Sequence, residues 1–162
     1  PAPDGDALLR QRIVAQLALR TVFGTSAAFY NRLYADGTLN RDYDYEIDYT
    51  AGTATIMLGG ESASPQKVLD EINTELESVF KNGIDTAAFE TAKRASFGSR
   101  LRGLEDFDNL CLALADGVFG GYCALDAYEV LESIEKRECE AFLKAFMTPD
   151  KLAMSVINPV KA

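Results

Sequence analysis

Asp42-Tyr43-Asp44-Tyr45-Glu46-Ile47-Asp48-Tyr49 decides the fold class, because its side chains alternate without a break. Tyr43, Tyr45, Ile47 and Tyr49 fall on one face and Asp42, Asp44, Glu46 and Asp48 on the other, the period of a strand with one side on a core. Gly52 marks a turn. Ala54, Ile56 and Leu58 then carry on an apolar face opposite Thr53 and Thr55, so the two runs form a hairpin closed by Gly59-Gly60.

On either side of this hairpin the period lengthens to about four. Upstream, a helix is expected over 6–23. Asp6 serves as its cap, Leu9, Ile13 and Leu17 form an apolar stripe, Arg12, Gln16 and Arg20 form a polar one, and Gly24 ends it. Thr25 or Ser26 caps a second helix bearing Phe29 and Leu33 on one stripe and Tyr30 and Tyr34 on another, and Gly37 stops it. Downstream, Ser64-Pro65 opens a helix with Val68, Ile72, Leu76 and Phe80 inward. Gly83 ends that helix and Asp85 caps the next, which carries Phe89, Phe97 and the basic residues Lys93, Arg94, Arg100 and Arg102. Further helices are expected over 107–118, 127–134 and 136–146, with a glycine-rich loop over 117–121. Residues 152–157 read as a last strand ended by Asn158-Pro159. The fold class is α+β, with an antiparallel sheet backed by helices over a single domain, 1–162, preceded by a linker at 1–6. Three strands are few for so many helices, so a further strand is expected upstream of Pro1.

The chain of 162 residues is 48% hydrophobic, enough for a sizeable core. Its net charge of −9 repels phosphate backbones and anionic lipid, so nucleic acid and membrane surfaces are poor partners. No apolar run reaches the roughly 20 residues of a membrane span. The chain contains no histidine. That rules out a Ser-His-Asp or Cys-His arrangement within it and removes the imidazole ligands of a catalytic zinc. Cys111, Cys123 and Cys139 lack paired zinc-site spacing and read as buried free thiols in a reducing cytoplasm. Ser26 has no base to activate it and reads as a helix cap.

Several segments together resemble the insulinase/pitrilysin-type zinc metallopeptidases. The run Val22-Phe23-Gly24-Thr25-Ser26-Ala27-Ala28-Phe29-Tyr30-Asn31-Arg32-Leu33-Tyr34-Ala35-Asp36-Gly37 is similar to the family's F-G-x-S-S-x-x-Y-x-x-L-Y-x-x-G stretch, with Ala27 at the second serine. Gly59-Gly60 with Ser64-Pro65 resembles its strand, turn and helix start. Asn82-Gly83-Ile84, Phe89-Glu90 and Lys93-Arg94 resemble its G-[IL]-x-x-x-x-[FL]-E-x-x-[KR] segment, and residues 154–159 its closing strand. The likeness covers roughly 8–159 and is greatest to the C-terminal domain of small bacterial members. It implies a two-layer α+β domain that clasps homologous domains around an unfolded peptide. The family's zinc site, H-x-x-E-H with a distant glutamate, belongs to the N-terminal homologous domain, so zinc is expected in the parent and not in this chain.

The resemblance also bears on particular residues. Members whose non-catalytic half helps bind substrate carry an arginine and a tyrosine seven residues apart in L-R-x-x-x-x-L-x-Y. The matching positions here hold Tyr34 and Arg41. That departure favours a domain attached to the zinc-bearing chain, with the Arg/Tyr pair supplied by a partner subunit in a homo- or heterodimer. Tyr34, Arg41, Asp42, Asp44, Glu46 and Asp48 are the substrate-chamber candidates. For the acidic residues, an anionic wall for basic peptides stands against an ordinary solvated strand face, and flat strand spacing suits a metal poorly. The expected partners are the homologous catalytic domain and a peptide substrate, in a bacterial cytoplasm. An inactive partner or scaffold subunit is the alternative.

Overall fold

A computed structural model describes residues 4–49 and 53–158. In chain order the elements are α1 (Gly5–Phe23), α2 (Ala28–Ala35), β1 (Asp44–Asp48), β2 (Thr55–Gly59), α3 (Pro65–Asn82), α4 (Thr86–Gly103), α5 (Phe107–Gly120), α6 (Ala127–Ser133) and α7 (Lys136–Phe146). Short 3-10 turns stand at Ala124–Asp126 and Pro149–Lys151. The class is α+β, mostly helical, with one antiparallel sheet of two strands among the described residues.

The centre is α1, which packs against α2, α4, α5, α6, α7 and β1. Its apolar stripe of Leu9, Ile13 and Leu17 is buried, and so are Val14, Ala15, Ala18, Leu19 and Val22. A helix covered on so many sides is a core helix rather than a surface one. Burial of its small residues lets the neighbours approach closely. At its end Phe23 meets Phe29 of α2 edge-on, with ring centroids 5.1 Å apart. The intervening Gly24 is required by space, because a Cβ there would lie 2.4 Å from the Arg20 carbonyl oxygen.

The hairpin pairs Tyr45 with Leu58 and Ile47 with Ile56. Their half-buried side chains pack on the core, whereas Asp44, Glu46 and Asp48 are exposed, as the alternation requires. Tyr43 fastens the hairpin to the helices. Its ring stacks on Tyr30 at 5.5 Å, and its hydroxyl donates to the Phe23 carbonyl oxygen at 3.0 Å. A buried phenol is thereby satisfied where an unpartnered one would cost roughly 1–3 kcal/mol. The expected turn at Gly52 and the close at Pro159 lie outside the described residues, as do Pro1 to Pro3 of the expected linker.

Pro65 takes the first position of α3, and Asp85 caps α4 by accepting from the Ala88 amide at 2.7 Å. Between them Gly83 has φ +78°, the left-handed region that glycine enters cheaply. The next amide, Ile84, donates to Glu140 Oε1 of α7 at 3.0 Å, so a turn from α3 to α4 is pinned by α7.

Four expectations are corrected. The N-caps of α1 and α2 are Asp4 and Ala27, not Asp6 and Thr25 or Ser26, and neither makes a side-chain capping bond. Residues 117–120 belong to α5, because the left-handed Gly121 ends the helix three residues after Val118. Residues 152–158 are not a strand: Leu152 has extended angles, but a strand requires a hydrogen-bonded neighbour, and among the described residues none pairs with this segment. Of the three thiols only Cys139 is buried. Cys111 and Cys123 are exposed.

Candidate functional site

The residues after α2 fold into a corner that gathers Tyr34, Arg41 and Asp42. Asp36 holds the end of α2 by accepting from the Thr38 amide at 2.9 Å and from Lys67 Nζ at 2.7 Å. These bonds, with that of Lys67 first, hold its carboxyl down at about 2. Asn40 then accepts from the Asp42 amide at 2.9 Å, turning the chain into β1. In this corner Arg41 Nε donates to Tyr34 Oη at 3.3 Å. The hydrogen bond raises the guanidinium above its ordinary value, although that group is titration-silent below strongly alkaline pH. Tyr34 stacks on Tyr30 at 5.5 Å, but the two are not equivalent. Tyr30 is core, while Tyr34 is 42% exposed.

Asp42, Asp44, Glu46 and Asp48 line one exposed face from this corner along β1. Successive outward positions lie roughly 7 Å apart on a strand, too far for their carboxylates to converge on one ion. Among the described residues no group of three His, Cys, Asp or Glu is placed to hold a metal. With no histidine in the chain, its residues do not fit the catalytic zinc of the family it resembles.

The basic residues of α4 are dispersed rather than gathered. Lys93 donates to the Glu132 and Ile134 carbonyl oxygens at 2.7 and 2.8 Å, tying α4 to the end of α6. Arg94 reaches Thr91 of its own helix. Arg100 leaves this face altogether and donates to Gln16 Oε1 of α1 at 2.8 Å. Periodicity within one helix could not show that meeting, because Gln16 and Arg100 are 84 residues apart.

Among the described residues, two further surfaces lack an internal partner. A cleft of about 1110 Å³ lies between β2 and residues 151–158, floored by Val68 and Ile72 of α3. α5 is apolar, yet only Gly117 of its residues is buried, leaving Phe107, Leu112, Val118 and Phe119 between 69% and 91% exposed. Among the described residues no single helix is long and apolar enough to cross a membrane.

No family model matches the chain. It is 22% identical over 155 residues to the uncharacterised zinc protease YmfH of Bacillus subtilis, covering 96% of this chain and 36% of that protein. The crystal structure of an M16-like peptidase from Alicyclobacillus acidocaldarius has the same fold, with a TM-score of 0.83 at 23% identity over 88% of this chain and 34% of the other. The chain therefore spans about a third of the length of the relatives it matches. The sequence likeness to a zinc protease thus runs nearly end to end along this chain, and its fold is that of an M16-like peptidase.

Proposed function

We propose that this chain is a single non-catalytic domain of a zinc-dependent peptidase, which completes the substrate chamber and supports a catalytic domain located upstream. The observation that carries this reading is a mismatch of chemistry within one family. The chain matches a third of a zinc protease, yet it has no histidine with which to hold zinc. In the parent, zinc would sit in the homologous N-terminal domain and supply an activated water for peptide hydrolysis. The residues of this chain would bind and enclose the peptide. Tyr34 and Arg41 offer a phenol and a fork of N–H donors at an exposed corner, suited to backbone carbonyls or carboxylates of a substrate. Asp42, Asp44, Glu46 and Asp48 supply an anionic wall that would draw basic segments.

The two surfaces without internal partners support attachment to a larger polypeptide. Among the described residues, the cleft beside β2 has a strand edge with no strand paired to it on one side and, on the other, residues 152–158, which pair with no strand. A strand from elsewhere in the parent would satisfy both and join residues 152–157 to the sheet. The apolar side of α5 would be covered by the homologous catalytic domain. Three free thiols suit a reducing, cytoplasmic setting for the parent. A partner or scaffold subunit without zinc is the second reading, and the presence or absence of H-x-x-E-H upstream in the same polypeptide separates the two.

Assays of a fluorogenic peptide test the assignment. The 162-residue chain with added zinc is expected to leave the peptide intact, while the product of the whole natural gene cleaves it and stops when zinc is chelated. Cleavage by the 162-residue chain alone would overturn the proposal.

A further inference from the structure

α1 and α4 face each other across a second cleft, of about 590 Å³, bounded on its third side by β1. Two cross-helix bonds lie along it. Arg100 Nη2 donates to Gln16 Oε1 at 2.8 Å, and Arg20 Nη1 approaches Ser96 Oγ at 3.5 Å. Gln16 and Arg20 are one turn apart on α1, as Ser96 and Arg100 are on α4, so the two guanidinium groups lie in one cleft.

What sets these arginines apart is partial burial with neutral partners, since Arg41 and Arg94, which also bond to hydroxyls, are exposed. Elsewhere Arg10 meets Glu138, Arg12 meets Asp116, Arg32 meets Glu71 and Glu75, and Lys67 meets Asp36. Arg20 and Arg100 are both half-buried, in a chain with 25 acidic residues, and among the described residues their hydrogen bonds go only to a hydroxyl and an amide. Burial presses the Arg100 guanidinium below its ordinary value, the direction expected of a desolvated cation without a counter-ion. Each group has further N–H donors for an incoming acceptor. Thr25, Ser26 and Ser99 add hydroxyls to the lining.

We propose that this cleft is a binding site for the free carboxylate of a peptide, held between Arg20 and Arg100. A planar carboxylate matches the guanidinium fork in shape and charge. Asp44 and Glu46 stand on the strand side of the same cleft and would repel a multiply charged anion, so a single carboxylate fits better than a phosphate. The peptide as source rests on the peptidase reading. The site itself does not, and it is measured on the 162-residue chain.

Side-chain Nε–H resonances of arginine, followed by NMR, read the binding. The probes are acetyl-glutamate amide, which offers a side-chain carboxylate, acetyl-alanine, which offers a terminal one, and inorganic phosphate. At least one carboxylate is expected to shift the Arg20 and Arg100 signals saturably, and which one does so identifies the source. Affinity should fall by about tenfold or more in Arg20→Gln and Arg100→Gln and stay unchanged in Arg94→Gln. Among the described residues, Arg20→Gln gives up one long hydrogen bond to a hydroxyl, so it should fold. In the unaltered chain, 0.5 M NaCl should weaken binding. No saturable shift, a response to phosphate alone, or equal affinity in Arg20→Gln would each overturn the proposal.

Discussion

Arg41 and Tyr34 meet through a 3.3 Å hydrogen bond from guanidinium to phenol, although one ends a turn and the other lies in α2. Both side chains are at the surface, so neither is needed for the core. Replacing Arg41 with Ala should move the melting temperature of the chain by less than about 2 °C. In the zinc-bearing parent the same change should raise the KM for a peptide while zinc content stays unchanged. An unaltered KM would remove Arg41 from the substrate path.

Phe23 and Phe29 are fully buried and meet edge-on, whereas Phe119 is 91% exposed. Phe29→Ala should therefore cost about 3–5 kcal/mol in urea denaturation, and Phe119→Ala close to nothing in the 162-residue chain. In the parent, Phe119→Asp should loosen the assembly if α5 is covered there, as seen by faster exchange of its amides. Equal exchange in both proteins would deny that α5 is an interface.

The turn at Gly83 combines two constraints. Its φ is +78°, and a Cβ would stand 2.8 Å from Glu140 Oε1, the group that accepts from Ile84. Gly83→Ala should destabilise the chain by about 1–2 kcal/mol, by backbone strain and by displacement of that carboxylate. Thermal unfolding checks it. In Glu140→Ala the displacement cost disappears, so the penalty of Gly83→Ala should shrink.

Burial pushes the Cys139 thiol up to about 12, with the neighbouring Glu138 and Glu140 adding to the effect. A folded-state value raised above the unfolded one stabilises the fold below the unfolded value, near pH 8.5, and that stability is lost as pH rises towards 12. Two thiols, Cys111 and Cys123, should react with a disulfide reagent in the native chain at pH 8, and the third only on unfolding. Three fast-reacting thiols would mean that α7 does not pack as described.

Much of the local chemistry in the chain was legible. The alternation from Asp42 to Tyr49, the proline start of α3, the Asp85 cap and the stop at Gly83 depend on near neighbours, and all four are found. Two local readings failed, the caps of α1 and α2 and the loop at 117–120, because several capping or glycine residues stand side by side there and sequence does not rank them. The other failures depend on distant contacts. The segment from Leu152 to Ile157 has a strand's composition, but a strand exists only with a partner. Cys111 looks core-like because α5 is apolar, yet among the described residues no other element covers it. Tyr34 and Arg41 were singled out only as positions matched to the family's pattern, and their hydrogen bond is a finding of the structure. The adjacency of Arg20 and Arg100 was not legible, since it arises only when α1 packs against α4.

The central claim is that this chain is a non-catalytic domain attached to a zinc-bearing one. Metal analysis of the longest product of the natural gene, purified without added metal, tests it most directly. About one zinc per polypeptide, with none retained by the 162-residue chain, is the predicted result. A full-length, folded product without zinc would contradict the claim and leave a partner or scaffold subunit in its place.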